Sequence, residues 1–171
     1  MSEEGNNPAP AGGENGTGET KTAALTVVAQ FIKDLSFENP MGPAKANIRP
    51  QVDMSVDIEA KPMEHELFEV ALKLRVSAKH EDKPAFLLEL VYAGLFVLHN
   101  IPEQIHNQIL LIEAPHLLFP FARRIVADVV RDGGLPTLMI EPIDFAALYQ
   151  ARLEEMKKQQ QAVSGSAAAP N

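Results

Sequence analysis

The sequence contains no cysteine and no tryptophan. Without thiols there is no disulfide framework, no thiolate nucleophile and no cysteine-ligated zinc or iron–sulfur site. Basic charge is also short: 15 Lys and Arg stand against 23 Asp and Glu, a formal net charge of −8. A nucleic-acid partner would require a cationic surface to neutralise phosphates, so none is expected. No apolar run approaches the ~18 residues that a membrane span needs, so no membrane insertion is expected. No basic start leads into an apolar stretch, so no secretory signal is expected, and the cytoplasm is the expected compartment. What is present is 46% hydrophobic residues in 171. That suffices for a core and fits one domain with tails.

Composition is unevenly spread. Residues 1–24 hold five of the ten glycines, Pro8 and Pro10, and four glutamates against Lys21. With no periodic apolar face, this segment reads as a disordered, solvated arm. Lys157 to Asn171 is rich in Gln, Ala and Ser and reads as a frayed, disordered tail. The domain is then residues 25–156.

Period-2 patterning dominates the first part of that domain. Leu25 to Glu38 reads as a strand, with Leu25, Val27, Ala29, Phe31, Leu35 and Phe37 on one parity. Asn39-Pro40-Met41-Gly42-Pro43 breaks it. Val52, Met54, Val56 and Ile58 alternate with Asp53, Ser55, Asp57 and Glu59. Phe68, Val70, Leu72, Leu74 and Val76 alternate with polar positions in the same way. Both are half-buried antiparallel strands. A hairpin loop at His80–Pro84 leads to a fourth strand, Ala85–His99, apolar on both parities apart from Glu89. The period then changes to 3.6. Ile105, Ile109 and Ile112 mark a short helix, and Phe121, Ile125 and Val129 mark a second that Gly133-Gly134 terminates. Asp144 is placed to cap a third, with Ile143 and Leu148 as its hydrophobic staple and Phe145, Leu148, Tyr149, Leu153 and Met156 on its apolar face. Four strands followed by helices, without βαβ alternation, predict an α+β fold.

Catalytic and metal-binding patterns fail on inspection. The glycines at 12–18 lack a preceding strand, a following helix and an adjacent Gly-Lys pair, so they are linker and not a phosphate loop. Glu103-x-x-His106 has the spacing of a di-iron helix motif but occurs once, and such a site needs a second copy and further carboxylates. No nucleophile elbow or Ser-His-Asp set is visible, and Glu81-Asp82 and Glu154-Glu155 read as solvated charge. Neither an enzyme nor a metal or other cofactor is expected.

Two surface features remain. The fourth strand and the first helix are apolar around most of their circumference, more than one protomer of this size readily buries. Homo-oligomerisation is the simplest answer, and ordinary core the alternative. Asp34 and Glu38 share one face of the first strand about 13 Å apart, and Glu89 is a lone charge beside Leu87. A solubilising role is the plain reading of these acids.

Four segments carry a resemblance. Lys33-Asp-Leu-Ser-Phe-Glu-Asn-Pro40, Ala85-Phe-Leu-Leu-Glu-Leu-Val-Tyr-Ala-Gly-Leu-Phe96, Pro115-His-Leu-Leu-Phe-Pro-Phe-Ala-Arg123 and the stretch Gly134 to Tyr149 resemble the SecB protein-export chaperones, in the family's order across residues 31–153. The resemblance implies a homotetramer built as a dimer of dimers, with a four-stranded antiparallel sheet per protomer and Ile105, Ile109 and Ile112 between dimers. It implies an ATP-independent holdase that keeps unfolded preproteins translocation-competent and delivers them to the SecA translocase. The client-binding groove then falls on Ile48, Val52, Met54, Val56, Phe121, Phe145, Leu148 and Tyr149, with Ile48 where the family often carries tryptophan. Methionine suits such a groove because it is flexible and polarisable. The SecA-binding surface falls on Asp34, Glu38, Leu87 and Glu89, where negative charge suits that partner's basic tail. The rival reading is a carrier of an apolar small molecule, disfavoured by the lack of convergent polar groups.

Overall fold

A computed structural model describes residues 22–43, 48–64 and 66–166. Its strands are β1 (Ala24–Glu38), β2 (Gln51–Pro62), β3 (Leu67–His80) and β4 (Lys83–His99). They form one antiparallel sheet in the order β1-β4-β3-β2. β3 and β4 are central and β1 and β2 are the edges; the two apolar parities of β4 suit a central place, and the wetter faces of β1 and β2 suit an edge. Glu81 and Asp82 join β3 to β4 with φ of 49° and 61°. Two successive left-handed residues are what a tight hairpin between right-twisted strands demands.

Alternation assigns the faces of β2 and β3 directly, and register with β3 assigns those of β4. Val70, Leu72, Leu74 and Val76 on β3 and Leu88, Leu90, Tyr92 and Phe96 on β4 turn to the helices and are buried. β1 departs from its sequence reading. Register shifts between Val27 and Ala29 and between Ile32 and Asp34 insert two bulges. Each extra residue reverses the alternation. Leu25, Val27, Gln30, Ile32, Leu35 and Phe37 therefore pair with helix-side residues of β4, whereas Ala29 and Phe31 oppose Leu95 and Ala93 on the open face.

The helical part also differs. The two expected helices form one helical path: a 3-10 turn (Glu103–Ile105), α1 (His106–Gln108), a π-helical turn (Ile109–Glu113) and α2 (Ala114–Asp132). Pro115 lacks an amide hydrogen and sits in the first turn of α2, directly after the π turn. A widened turn there accommodates the missing donor without ending the helix. α2 packs against β4 at Gly94, where an added Cβ would lie 2.9 Å from Leu118 of α2 and 2.7 Å from the ring of Phe96 on the same strand. The end of α2 is as expected. Leu135 N–H donates to Val130 O (3.3 Å) and Gly134 N–H to Arg131 O (2.9 Å), with Gly134 at φ +76°. This is a Schellman cap. The turn after β1 packs onto it: Asn39 Nδ2 donates to Gly133 O at 2.8 Å, and Phe37 and Pro43 leave no space for a side chain at Gly133 or Gly134.

α3 (Phe145–Ser166) opens as predicted, with Ala147 N–H donating to Asp144 Oδ1 at 2.9 Å. It does not stop near Met156. Residues Lys157 to Ser166, read from composition as tail, continue the helix, since Lys, Gln and Ala are good helix formers and nothing in that stretch breaks it before Gly165. The arm and the last five residues fall outside the described residues, apart from Thr22 to Ala24, where β1 begins.

Candidate functional site

The sheet leaves two surfaces available for binding. The first is a groove on the helix side, between edge strand β2 and α3. Val56, Ile58, Leu111, Leu148, Tyr149 and Arg152 line a depression of about 400 Å³. An adjoining one of about 300 Å³ continues along β2 past Ala60, Leu153 and Met156. The apolar part of its lining follows from the alternation of β2, whose even residues face the helices, and from the i, i+3, i+4 spacing of α3, while Asp57, Glu155, Glu59 and Lys61 give it a charged rim.

The expected groove residues separate into three sets. Val56, Leu148 and Tyr149 meet in the groove. Val52 and Met54 lie further along the same face of β2 and are 38% and 41% exposed, with Ile48 half-buried just before the strand. Phe121 is 45% exposed but is directed elsewhere: its ring stacks on Tyr92 at 6.3 Å, and the Tyr92 hydroxyl reaches Gln30 Oε1 on β1 at 3.3 Å. Phe145 requires a correction. It is fully buried, edge-on to His116 (5.0 Å) and Phe119 (5.9 Å), so it supports the groove from behind and cannot line it. It is the first residue of α3, whose opening turn is the part pressed onto the core.

Arg152 was not singled out from the sequence. It stands on the apolar stripe of α3, three residues from Tyr149 and four from Leu148, and a lone arginine interrupting such a stripe is the signal that could have marked it. Its Nη1 donates to Ile58 O at 2.9 Å and lies 3.6 Å from Asp57 Oδ1.

The second surface is the open face of the sheet. Register places Asp34 opposite Val91, Ser36 opposite Glu89 and Glu38 opposite Leu87, so Asp34, Glu38, Leu87 and Glu89 form one patch across β1 and β4. The bulge at Lys33 lets β1 keep its apolar residues inward while both acids stay outward. Glu89 pairs with Arg75 and Glu69 with Lys33; among the described residues neither Asp34 nor Glu38 is in an ion pair. Glu59, on the same face of β2, accepts from Lys73 Nζ at 2.6 Å and lies 3.4 Å from Lys61 Nζ. These hydrogen bonds, that to Lys73 foremost, hold its carboxyl below the usual glutamate range.

The helix near Ile105 presents a further apolar hollow. Ile105 and Ile109 line it with Leu25, Ile101 and Leu117. Ile112 does not share their face and belongs to the core at 8% exposure. The 3.6-residue period that groups it with Ile105 and Ile109 does not hold through the π turn. His106 has a structural role: its Nε2 bonds Ile101 O at 2.8 Å and its ring is edge-on to Phe68. Among the described residues no group of three or more His, Asp or Glu could hold a metal ion. None of the helices described is long and apolar enough to cross a membrane.

Comparison with known proteins places these surfaces in context. The family profile described as preprotein translocase subunit SecB matches residues 18–156. The protein-export protein SecB of Parvibaculum lavamentivorans is 46% identical over 177 aligned residues, covering all of both chains. That of Zymomonas mobilis subsp. mobilis is 50% identical over 133 residues, 77% of this chain and 81% of its own. Among solved structures, a SecB-like chaperone of Mycobacterium tuberculosis, in complex with a peptide from an antitoxin, superposes with a TM-score of 0.57 at 16% identity, covering 70% of this chain and 90% of that one. At that identity the likeness is one of fold, and it agrees with the four-stranded antiparallel sheet followed by helices. On the profile and the relatives together, the chain belongs to the SecB family of protein-export chaperones, which are not enzymes.

Proposed function

We propose that this protein is an ATP-independent holdase that binds unfolded preproteins along apolar grooves and hands them to SecA. The observation that carries the reading is the open apolar groove between β2 and α3, with Val52 and Met54 exposed beyond it. An elongated surface suits a stretch of extended chain better than a small apolar ligand, which is ordinarily enclosed. Each such contact is weak, but a long client occupying several grooves gains avidity. A folded client exposes too little apolar surface to compete, so binding opposes folding without nucleotide. The fold relative from M. tuberculosis was solved with a peptide, which is consistent with this use.

The same reading includes a cytoplasmic homotetramer, a dimer of dimers. Edge strand β1 exposes Val28 and Ile32 at 55% and 48%, and Ile105 and Ile109 line an open hollow. Exposed apolar area of this kind is what an assembly interface covers. The acidic patch of Asp34, Glu38 and Glu89 with Leu87 is the proposed SecA surface.

The test is refolding of an unfolded preprotein with near-stoichiometric protein and no nucleotide. Retarded refolding, relieved on adding SecA, is expected. Unchanged refolding together with tight binding of a small apolar ligand would favour the carrier instead. Light scattering behind size exclusion tests the assembly, with a tetramer expected at micromolar concentration.

A further inference from the structure

The groove is not continuous. Both depressions include Ile58, Leu111, Tyr149 and Arg152, and at their junction the Arg152 side chain spans from α3 to β2. Its guanidinium donates to the carbonyl of Ile58 and lies beside the carboxylate of Asp57. Among the described residues β2 is an edge strand paired with β3 alone, so its outward carbonyls and amides are those that an added extended chain would use. Arg152 therefore occupies the acceptor that an incoming strand would seek, midway along the groove.

We infer that Arg152 is a clasp that divides the client groove and sets the length of extended apolar segment it accepts while closed. This rests on the chaperone reading and deepens it: the occupant is an extended segment of an unfolded polypeptide. A segment short enough for one compartment binds without disturbing the clasp. A longer one must displace the guanidinium from Ile58 O and replace it with its own amide. The clasp is built to yield, because the Arg152 and Asp57 side chains are 51% and 58% exposed and an exposed ion pair is weak. The apolar walls on either side, Val56 with Leu148 and Leu153 with Met156, then become one track. The acceptor is a backbone carbonyl, so the device reads chain length and extension and not side-chain identity. That matches a binder of many clients.

The experiment compares two fluorescently labelled apolar peptides, about three and about seven residues long, roughly one compartment and both at strand rise along Val56–Ile58 and Ile58–Lys61. Anisotropy titrations use the intact protein, Arg152→Ala and Asp57→Asn. Arg152→Ala is expected to tighten the longer peptide about five-fold and to leave the shorter within about two-fold, the scale of one hydrogen bond with a weak ion pair. Asp57→Asn keeps the carbonyl contact, so it should tighten the longer peptide by less. It should also lose the part of the intact protein's salt dependence that comes from screening the pair. Amide exchange of α3 shows whether the helix stays seated; if it does not in Arg152→Ala, the Asp57→Asn result decides. Equal change for both peptides, in either direction, or no change for either would overturn the clasp. If the intact protein retards refolding yet the variants show no length dependence, the clasp alone fails. If it binds neither peptide and retards nothing, the chaperone reading fails and takes the clasp with it.

Discussion

Phe145 and Leu148 stand three residues apart on one apolar face of α3, and the structure gives them opposite duties. Phe145 is fully buried and Leu148 is 39% exposed in the groove. Replacing Phe145 by Ala removes a side chain that buries about 200 Å², a ceiling of about 5 kcal/mol at ~25 cal/mol per Å². Its edge contacts with His116 and Phe119 are lost as well. Measured Phe→Ala costs in cores run about 3–5 kcal/mol, and α3 can relax into part of the cavity, so about 3 kcal/mol is expected. Among the described side chains of α3, Phe145 alone is fully buried; Tyr149 and Leu153 are half-buried. The cost should therefore appear as undocking of α3 before loss of the sheet. About 3 kcal/mol corresponds to roughly two powers of ten in the opening equilibrium, read as faster amide exchange in α3 with β3 and β4 still protected. Leu148→Ala should cost under about 1 kcal/mol, leave α3 protection unchanged and weaken binding of an apolar peptide several-fold. A Phe145→Ala protein with intact α3 protection but lost peptide binding would refute the assignment and return Phe145 to the groove lining.

Three further outcomes follow from the same geometry. Gly94→Val should destabilise by about 2 kcal/mol or more in urea unfolding, because even a Cβ would meet the Phe96 ring at 2.7 Å and Leu118 of α2 at 2.9 Å; a neutral result would mean that the Phe96 ring and Leu118 yield the space without cost. Asp34→Lys and Glu89→Lys should weaken SecA binding while peptide binding survives, with steeper loss at low salt; equal loss of both functions would contradict a separate partner surface. Glu59 should titrate below its ordinary value of 4.5, so its ion pairs stabilise the fold at neutral pH. That contribution is lost as the pH falls through the depressed folded-state value, and NMR titration should show Lys73→Met raising it.

Local signals proved readable where a few neighbouring residues settle the outcome. The alternation of β2 and β3, the cap made by Asp144 and the Schellman turn at Gly133-Gly134 all act within about six residues. Register was readable only where alternation is unbroken. Bulges at Val28 and Lys33 disturb it in β1, where Lys33 interrupts the apolar parity and Val28 and Ile32 lie on the polar one, and they move Ala29 and Phe31 to the face opposite the one parity gave them. The two helices expected around Ile105–Ile112 and Phe121–Val129 join through a π turn, which carries Ile112 into the core.

The amino-acid sequence by itself determined the α+β class, the family and the acidic parity of β1, because these depend on periodicity, capping and short motifs. Only the tertiary structure decided which apolar residues line a groove and which fill the core, and that Arg152 crosses the groove. The physical reason is separation along the chain. Asn39 to Gly133 and Arg152 to Ile58 each join residues 94 positions apart, and no local preference encodes such a meeting. It arises when the sheet has set its order and the helices have taken their places on one face.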